Sequence, residues 1–172
     1  SINSLVKANT DSGFSYGTYT GTGSAATIGH GLGVVPDFVM AKMLNSYNQS
    51  ENIDGDWIVY HSANTSAPQT DYLRLNAGDA TVDNTYFNDT APTSTVFSIG
   101  TVNDVNQSGR QFQFYAWSAI QGYSKFGSYV GNGNANGPFV YTGFKPAFVL
   151  LKSTSNAEAW ELMDNKRNGY NG

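Results

Sequence analysis

Eleven short runs rich in aromatic and β-branched residues follow one another along this chain, bounded by Gly, Asn, Asp or Pro. They are FSYGTYT, ATIGH, DFVMAK, DWIVYH, DYLRLN, TVFSIG, QFQFYAWSA, YSKFGSYV, PFVYTG, AFVLLK and AWELM. Such runs, recurring about every 8 to 12 residues between turn residues, are too short for ordinary helices and read as strands. A helix needs an apolar stripe at three-to-four spacing over about ten residues, and only 77–88 and 156–165 have room for even a short turn of it. The expected class is all-β, an antiparallel sandwich of jelly-roll-like type.

The runs also repeat. GFSYGTYTGTGSA at 13–25 returns as GYSKFGSYVGNGNA at 122–135. Gly13, Phe14 and Ser15 match Gly122, Tyr123 and Ser124 at an offset of 109. After one extra residue the offset is 110, and Tyr19, Gly23, Gly33, Pro36, Phe38 and Lys42 match Tyr129, Gly133, Gly143, Pro146, Phe148 and Lys152. Beyond a loop that is shorter in the second copy, Trp57 matches Trp160 at an offset of 103. A period of about 110 residues is the size of a β-sandwich domain, well above that of a solenoid or propeller repeat. The chain is therefore expected to hold a first β-sandwich unit, 1–121, and the first half of a second, homologous unit, 122–172. Half a sandwich exposes an apolar face and open strand edges, so further sequence or another chain is expected to complete it.

Composition removes several function classes. Charged residues are 13% of the 172, about half the usual share, and the net charge is −4. Lys and Arg form no runs, so nucleic acid is not an expected partner. No apolar stretch has the roughly 18 residues of a membrane span, and SINSLVKANT lacks the order of a signal peptide, so no membrane insertion is expected. Cysteine is absent, which excludes disulfides, thiolate zinc sites and thiol catalysis.

Catalytic motifs are weak. GFSYG fits the G-x-S-x-G pattern around Ser15, but a nucleophile elbow needs a strand-to-helix turn, and the copy at Ser124 breaks the spacing. His30 and His61 are matched by Val140 and Asp164 in the second copy and have no metal-binding spacing. Asp54, Asp56, Glu158 and Glu161 are the carboxylates a glycosidase reading would use. Asp104, Asn106 and Ser108 start like a calcium loop, but Tyr115 stands where the closing Glu belongs, and DVNQSG reads as a hairpin turn between FSIGTV and RQFQFY. No enzymatic activity, cofactor or metal is expected. Aromatic residues make up 14% of the chain, with 11 Tyr, more than one small core needs, and Tyr among Asn and Ser suits surfaces that stack on sugars or meet proteins. The long loop LNSYNQSENIDGD is the expected recognition loop, with Tyr47, Asn48, Asp54 and Asp56 as its candidate ligand-binding residues.

The motifs TYTGTG…GHGLGVVPDFV, DWIVYHS, NDTAPTSTVFSIGTVNDVNQSG, GYSKFGSYVGNGNANGPFVYTGFKPAFVLLK and WELMDNKRNGYN cover nearly the whole chain. In these the chain resembles a family of repeated domains in tail-fibre and structural proteins of marine bacteriophages. It departs from the family's pattern at Gly169, where Pro usually follows RN. The resemblance implies a virion fibre or appendage of tandem β units, homotrimeric and set among other virion proteins, that contacts a glycan or protein receptor on the host surface. A spacer or capsid-decorating protein without ligand binding is the alternative, and a carbohydrate-degrading tailspike segment a further one. The family brings no catalytic residues.

Overall fold

The computed structural model describes residues 1–44 and 55–166. Seven of its strands form one antiparallel sheet: β1 (Ser4–Asn9), β2 (Phe14–Thr20), β4 (Phe38–Met43), β5 (Ile58–His61), β6 (Asp71–Arg74), β7 (Val82–Asp83) and β9 (Gln111–Trp117). Their order is β1-β2-β9-β4-β5-β6-β7. β3 (Ala26–Gly29) pairs with β8 (Val96–Ile99), and β10 (Phe148–Leu151) pairs with β11 (Glu161–Asp164). The chain is an all-β sandwich, as its short alternating runs predict, with layers of unequal width. Opposite the broad sheet lie the β3–β8 pair, the 3-10 turn Thr85–Phe87 and the single helical turn α1 (Asn103–Asn106).

Alternation along each strand decides which face is buried. In β9, Phe112, Phe114 and Ala116 are fully buried, while Gln113, Tyr115 and Trp117 point to the other side. In β2, Ser15, Gly17 and Tyr19 point inward, with Phe14, Tyr16 and Thr18 opposite. Facing residues join across the interior: Tyr19 stacks on Phe112 at 5.1 Å between ring centres, and Phe97 of β8 meets Phe114 edge-on at 5.1 Å. Each such ring contributes about 1.5–3 kcal/mol by leaving water, so this inner face carries most of the stability. Gly17 is required there, because a Cβ at that position would stand 2.5 Å from the Phe114 ring.

β9 is the keystone of the sheet. It follows β8 in sequence yet lies between β2 and β4, with Tyr19 opposite Phe112 on one side and Ala41 opposite Phe114 on the other. Without it the sheet would fall into two halves.

Several local expectations change: the runs YSKFGSYV and PFVYTG form no strand, since 118–147 holds only turns and an isolated bridge between Ile120 and Ser124. The DVNQSG segment is not a hairpin turn, because β8 and β9 belong to different sheets and α1 carries the chain from one layer to the other. Asn106 explains the geometry: its amide donates to Ser24 O and Gly100 O, both at 2.7 Å, and accepts from Thr22 N–H at 2.8 Å. Residues 156–165 hold β11 rather than a helical turn, whereas 77–88 does contain the 3-10 turn Thr85–Phe87.

The β10–β11 hairpin reproduces the pairing of β4 with β5. Phe38 faces His61 and Ala41 faces Ile58; Phe148 faces Asp164 and Leu151 faces Glu161, which are the same pairs shifted by the sequence offsets of 110 and 103. Turn glycines repeat as well, with φ of 72° and 65° at Gly23 and Gly133, and 75° and 84° at Gly33 and Gly143. The hairpin is held against the first sheet by Trp160, whose indole N–H donates to Arg74 O at 2.7 Å, and by the Thr81 N–H to Thr154 O bond at 3.0 Å.

Candidate functional site

The outer face of the broad sheet is aromatic. Outward positions of β2 supply Phe14 and Tyr16, those of β9 supply Tyr115 and Trp117, and Trp57 precedes β5. Because β2 and β9 pair antiparallel with Phe14 opposite Trp117 and Tyr16 opposite Tyr115, the four rings meet across the strands. Ring centres lie 5.2 Å apart for Phe14 and Trp117, 5.1 Å for Tyr16 and Tyr115, and 6.1 Å for both Tyr115–Trp117 and Trp57–Tyr115. These rings are partly open to solvent.

The second half of the chain divides this face. At one end Phe38, Val59 and Leu73 form a small core that Phe126 and Trp160 help to cover, with the Phe126 ring stacked 6.0 Å from Phe38. Phe126 matches Tyr16 at an offset of 110, so the residue that lies open in the first copy serves in the second as a docking contact. At the other end Phe14, Tyr16 and Tyr115 stay partly open and, with Lys7, Ala8 and Asn9 of β1, line a shallow depression of about 500 Å³. An apolar floor with an amine and an amide on its rim suits a ligand that has both apolar faces and hydroxyl groups.

Of the residues assigned to the recognition loop, Tyr47, Asn48 and Asp54 lie outside the described residues. Asp56 is buried: Arg74 Nη1 donates to its Oδ2 at 3.0 Å and Asn76 Nδ2 to its Oδ1 at 2.7 Å, so both oxygens are engaged within the chain. Arg74 also pairs with Asp79. Glu158 and Glu161 are exposed on the β10–β11 side.

The other motif residues serve the fold. Ser15 is buried in mid-strand, and its hydroxyl donates to the His30 carbonyl. The His30 ring is buried between Thr93 O, 3.1 Å from Nε2, and Leu32 N–H, which donates to Nδ1 at 3.2 Å. That pattern fits the neutral tautomer with its proton on Nε2, and burial holds the ring's pKa below the usual value against the opposing pull of the Thr93 bond. His61 accepts from Ala63 N–H at 3.0 Å and packs edge-on to Phe38; burial lowers its pKa too, with nearby Asp37 acting in the other direction. Asp104 accepts from Tyr86 O–H at 3.2 Å and Gly55 N–H at 3.3 Å. Burial first, and the Asp104 charge second, raise the Tyr86 pKa.

The aromatic sheet face is not among the candidate residues that the loop 44–56 offers. The alternation of FSYGTYT and QFQFYAW did carry a signal, since each has aromatic residues at both parities and so cannot bury all of them on one side.

Fold and face together define a β-sandwich module with an aromatic-floored surface. The whole chain, residues 1–172, matches the model of a family described as Domain of unknown function (DUF7483), and it belongs to that family. No curated protein and no solved structure matches it.

Proposed function

We propose that this chain is a non-enzymatic structural unit of a bacteriophage fibre or appendage that attaches to a glycan or protein on the host cell surface through its open aromatic face. One observation carries the attachment reading: Phe14, Tyr16 and Tyr115 form a contiguous, partly exposed surface on the broad sheet, beside Lys7 and Asn9. Stacking of sugar rings on such a surface, with hydrogen bonds from the rim, is the chemistry it offers, and display in a homotrimer would multiply weak single sites. The virion assignment is supported by the resemblance carried by the TYTGTG and GHGLGVVPDFV motifs.

The test is binding of the purified chain to host cells and to their isolated surface polysaccharide. Replacing Tyr16 and Tyr115 together by Ser should weaken binding roughly tenfold, at about 0.5–1.5 kcal/mol for each aromatic contact. Unchanged binding by a folded double variant would refute the assignment of the face, and release of reducing sugar would refute the non-enzymatic reading. The spacer or decoration reading has its own support in Leu5, 81% exposed on edge strand β1, which a neighbouring copy would cover. It predicts an oligomer whose assembly Leu5→Lys disrupts, and no binding to cells.

A further inference from the structure

Strand register sets the rim of the aromatic face out in rows. Residues directly opposite each other in an antiparallel pair share one face of the sheet. Lys7, Tyr16 and Tyr115 therefore form one row across β1, β2 and β9, and Asn9, Phe14 and Trp117 form the next. Neighbouring strands lie about 4.8 Å apart, and successive rows on one face about 7 Å apart. The exposed Lys7 side chain thus starts one strand spacing from Tyr16, whose ring centre is 5.1 Å from that of Tyr115.

The polar groups on this rim are donors. Among the described residues no hydrogen bond or ion pair holds the Lys7 amine; the ion pairs there join Arg74 to Asp56 and Asp79, at the far end of the sheet. Asn9 Oδ1 accepts from Ser12 N–H at 3.1 Å, which leaves Nδ2 as the group its side chain offers a ligand. No carboxylate lines the depression, and Asp11 stands in the turn between β1 and β2, outside the lining. In a chain of net charge −4, the amine is a local positive charge beside two tyrosine rings.

We infer, resting on the attachment reading of this face, that its ligand is an acidic polysaccharide whose sugars carry a carboxylate on the pyranose ring. The apolar face of one sugar lies on the Tyr16–Tyr115 pair, and its carboxylate, bonded directly to the ring, accepts from the Lys7 amine one strand away. Asn9 Nδ2 donates to a hydroxyl group one row along. An acidic peptide brings the charge without a flat apolar face beside it, and a neutral glycan brings the face but leaves the amine unanswered. A carboxylated pyranose joins both in one rigid residue.

The experiment titrates the full chain with oligogalacturonate and with oligosialate, the two common sources of such a carboxylate. Controls are the methyl ester of oligogalacturonate, which keeps the rings and removes the charge, and polyglutamate, which keeps the charge and lacks the rings. One or both acidic saccharides should bind saturably, the tighter naming the sugar, and binding should weaken as salt rises from about 20 to 200 mM. Lys7→Gln should weaken it about fivefold, the upper range for an exposed ion pair, while Lys7→Arg retains it. The inference is overturned if neither acidic saccharide binds, if acid and ester bind alike, if polyglutamate binds as tightly as the saccharides, or if Lys7→Gln binds as the wild type does. Binding to host cells that needs Tyr16 and Tyr115 but ignores Lys7→Gln overturns this inference alone, whereas binding that ignores the two tyrosines overturns the attachment reading with it.

Discussion

Asn106→Ala tests the account of the crossing between layers. The side chain is fully buried, and its amide joins three backbone groups from two segments: Thr22 N–H, Ser24 O and Gly100 O. Thr22 and Ser24 are exposed and regain water when the amide is removed, so each loss should cost about 0.5–1.5 kcal/mol. Gly100 O belongs to a buried residue and would be left unsatisfied, at about 1–3 kcal/mol. The sum is about 2–6 kcal/mol, and its midpoint is equivalent to roughly a 10 °C fall in Tm for a chain of this size. Urea denaturation followed by tryptophan fluorescence reads the change, with calcium and with chelator in parallel. A loss below about 1 kcal/mol would refute the bridging role, since it falls within the range of one exposed hydrogen bond. Recovery of stability with calcium in the wild-type chain alone would mean that Asp104 and Asn106 act as ligands.

Stability should fall as pH drops from about 7.5 to 5. His30 is buried and neutral with its folded pKa below the unfolded value, so the unfolded chain binds more protons in the window beneath about 6.5, and the contribution is complete only above it. His61 acts in the same direction, and His30→Gln should flatten part of the slope in denaturation midpoints taken across that range. Gly100→Ala should prevent folding or cost more than about 4 kcal/mol, because the added Cβ would stand 2.0 Å from Thr85 O, and circular dichroism of the purified variant reports it. Trp160→Ala should release the β10–β11 hairpin from the first sheet while leaving that sheet folded, seen as faster proteolysis within 122–166 and an unchanged urea midpoint for the remainder.

The all-β class, most strand positions and the shared register of the two hairpins were legible in the sequence, because alternation and turn glycines are local signals; YSKFGSYV and PFVYTG, which carry the same signals, form no strand, and β1 lies outside the runs. Matching Phe38 to Phe148 and Trp57 to Trp160 fixed offsets that the pairing of β10 with β11 reproduces. That some aromatic residues would lie outside the core was legible, but not that Tyr16 and Tyr115 would share one face. Tyr16 and Tyr115 become neighbours only because β9 inserts between β2 and β4, and nothing local in either strand records which strand will lie beside it. The role of Asn106 was hidden for the same reason, since its partners Ser24 and Gly100 come from other segments and an Asn in a Gly-rich stretch looks like a turn until they are in place. Local alternation thus determined what most strands would be, while strand order, which depends on contacts between distant segments, decided which aromatic residues were covered and which were left partly open to solvent.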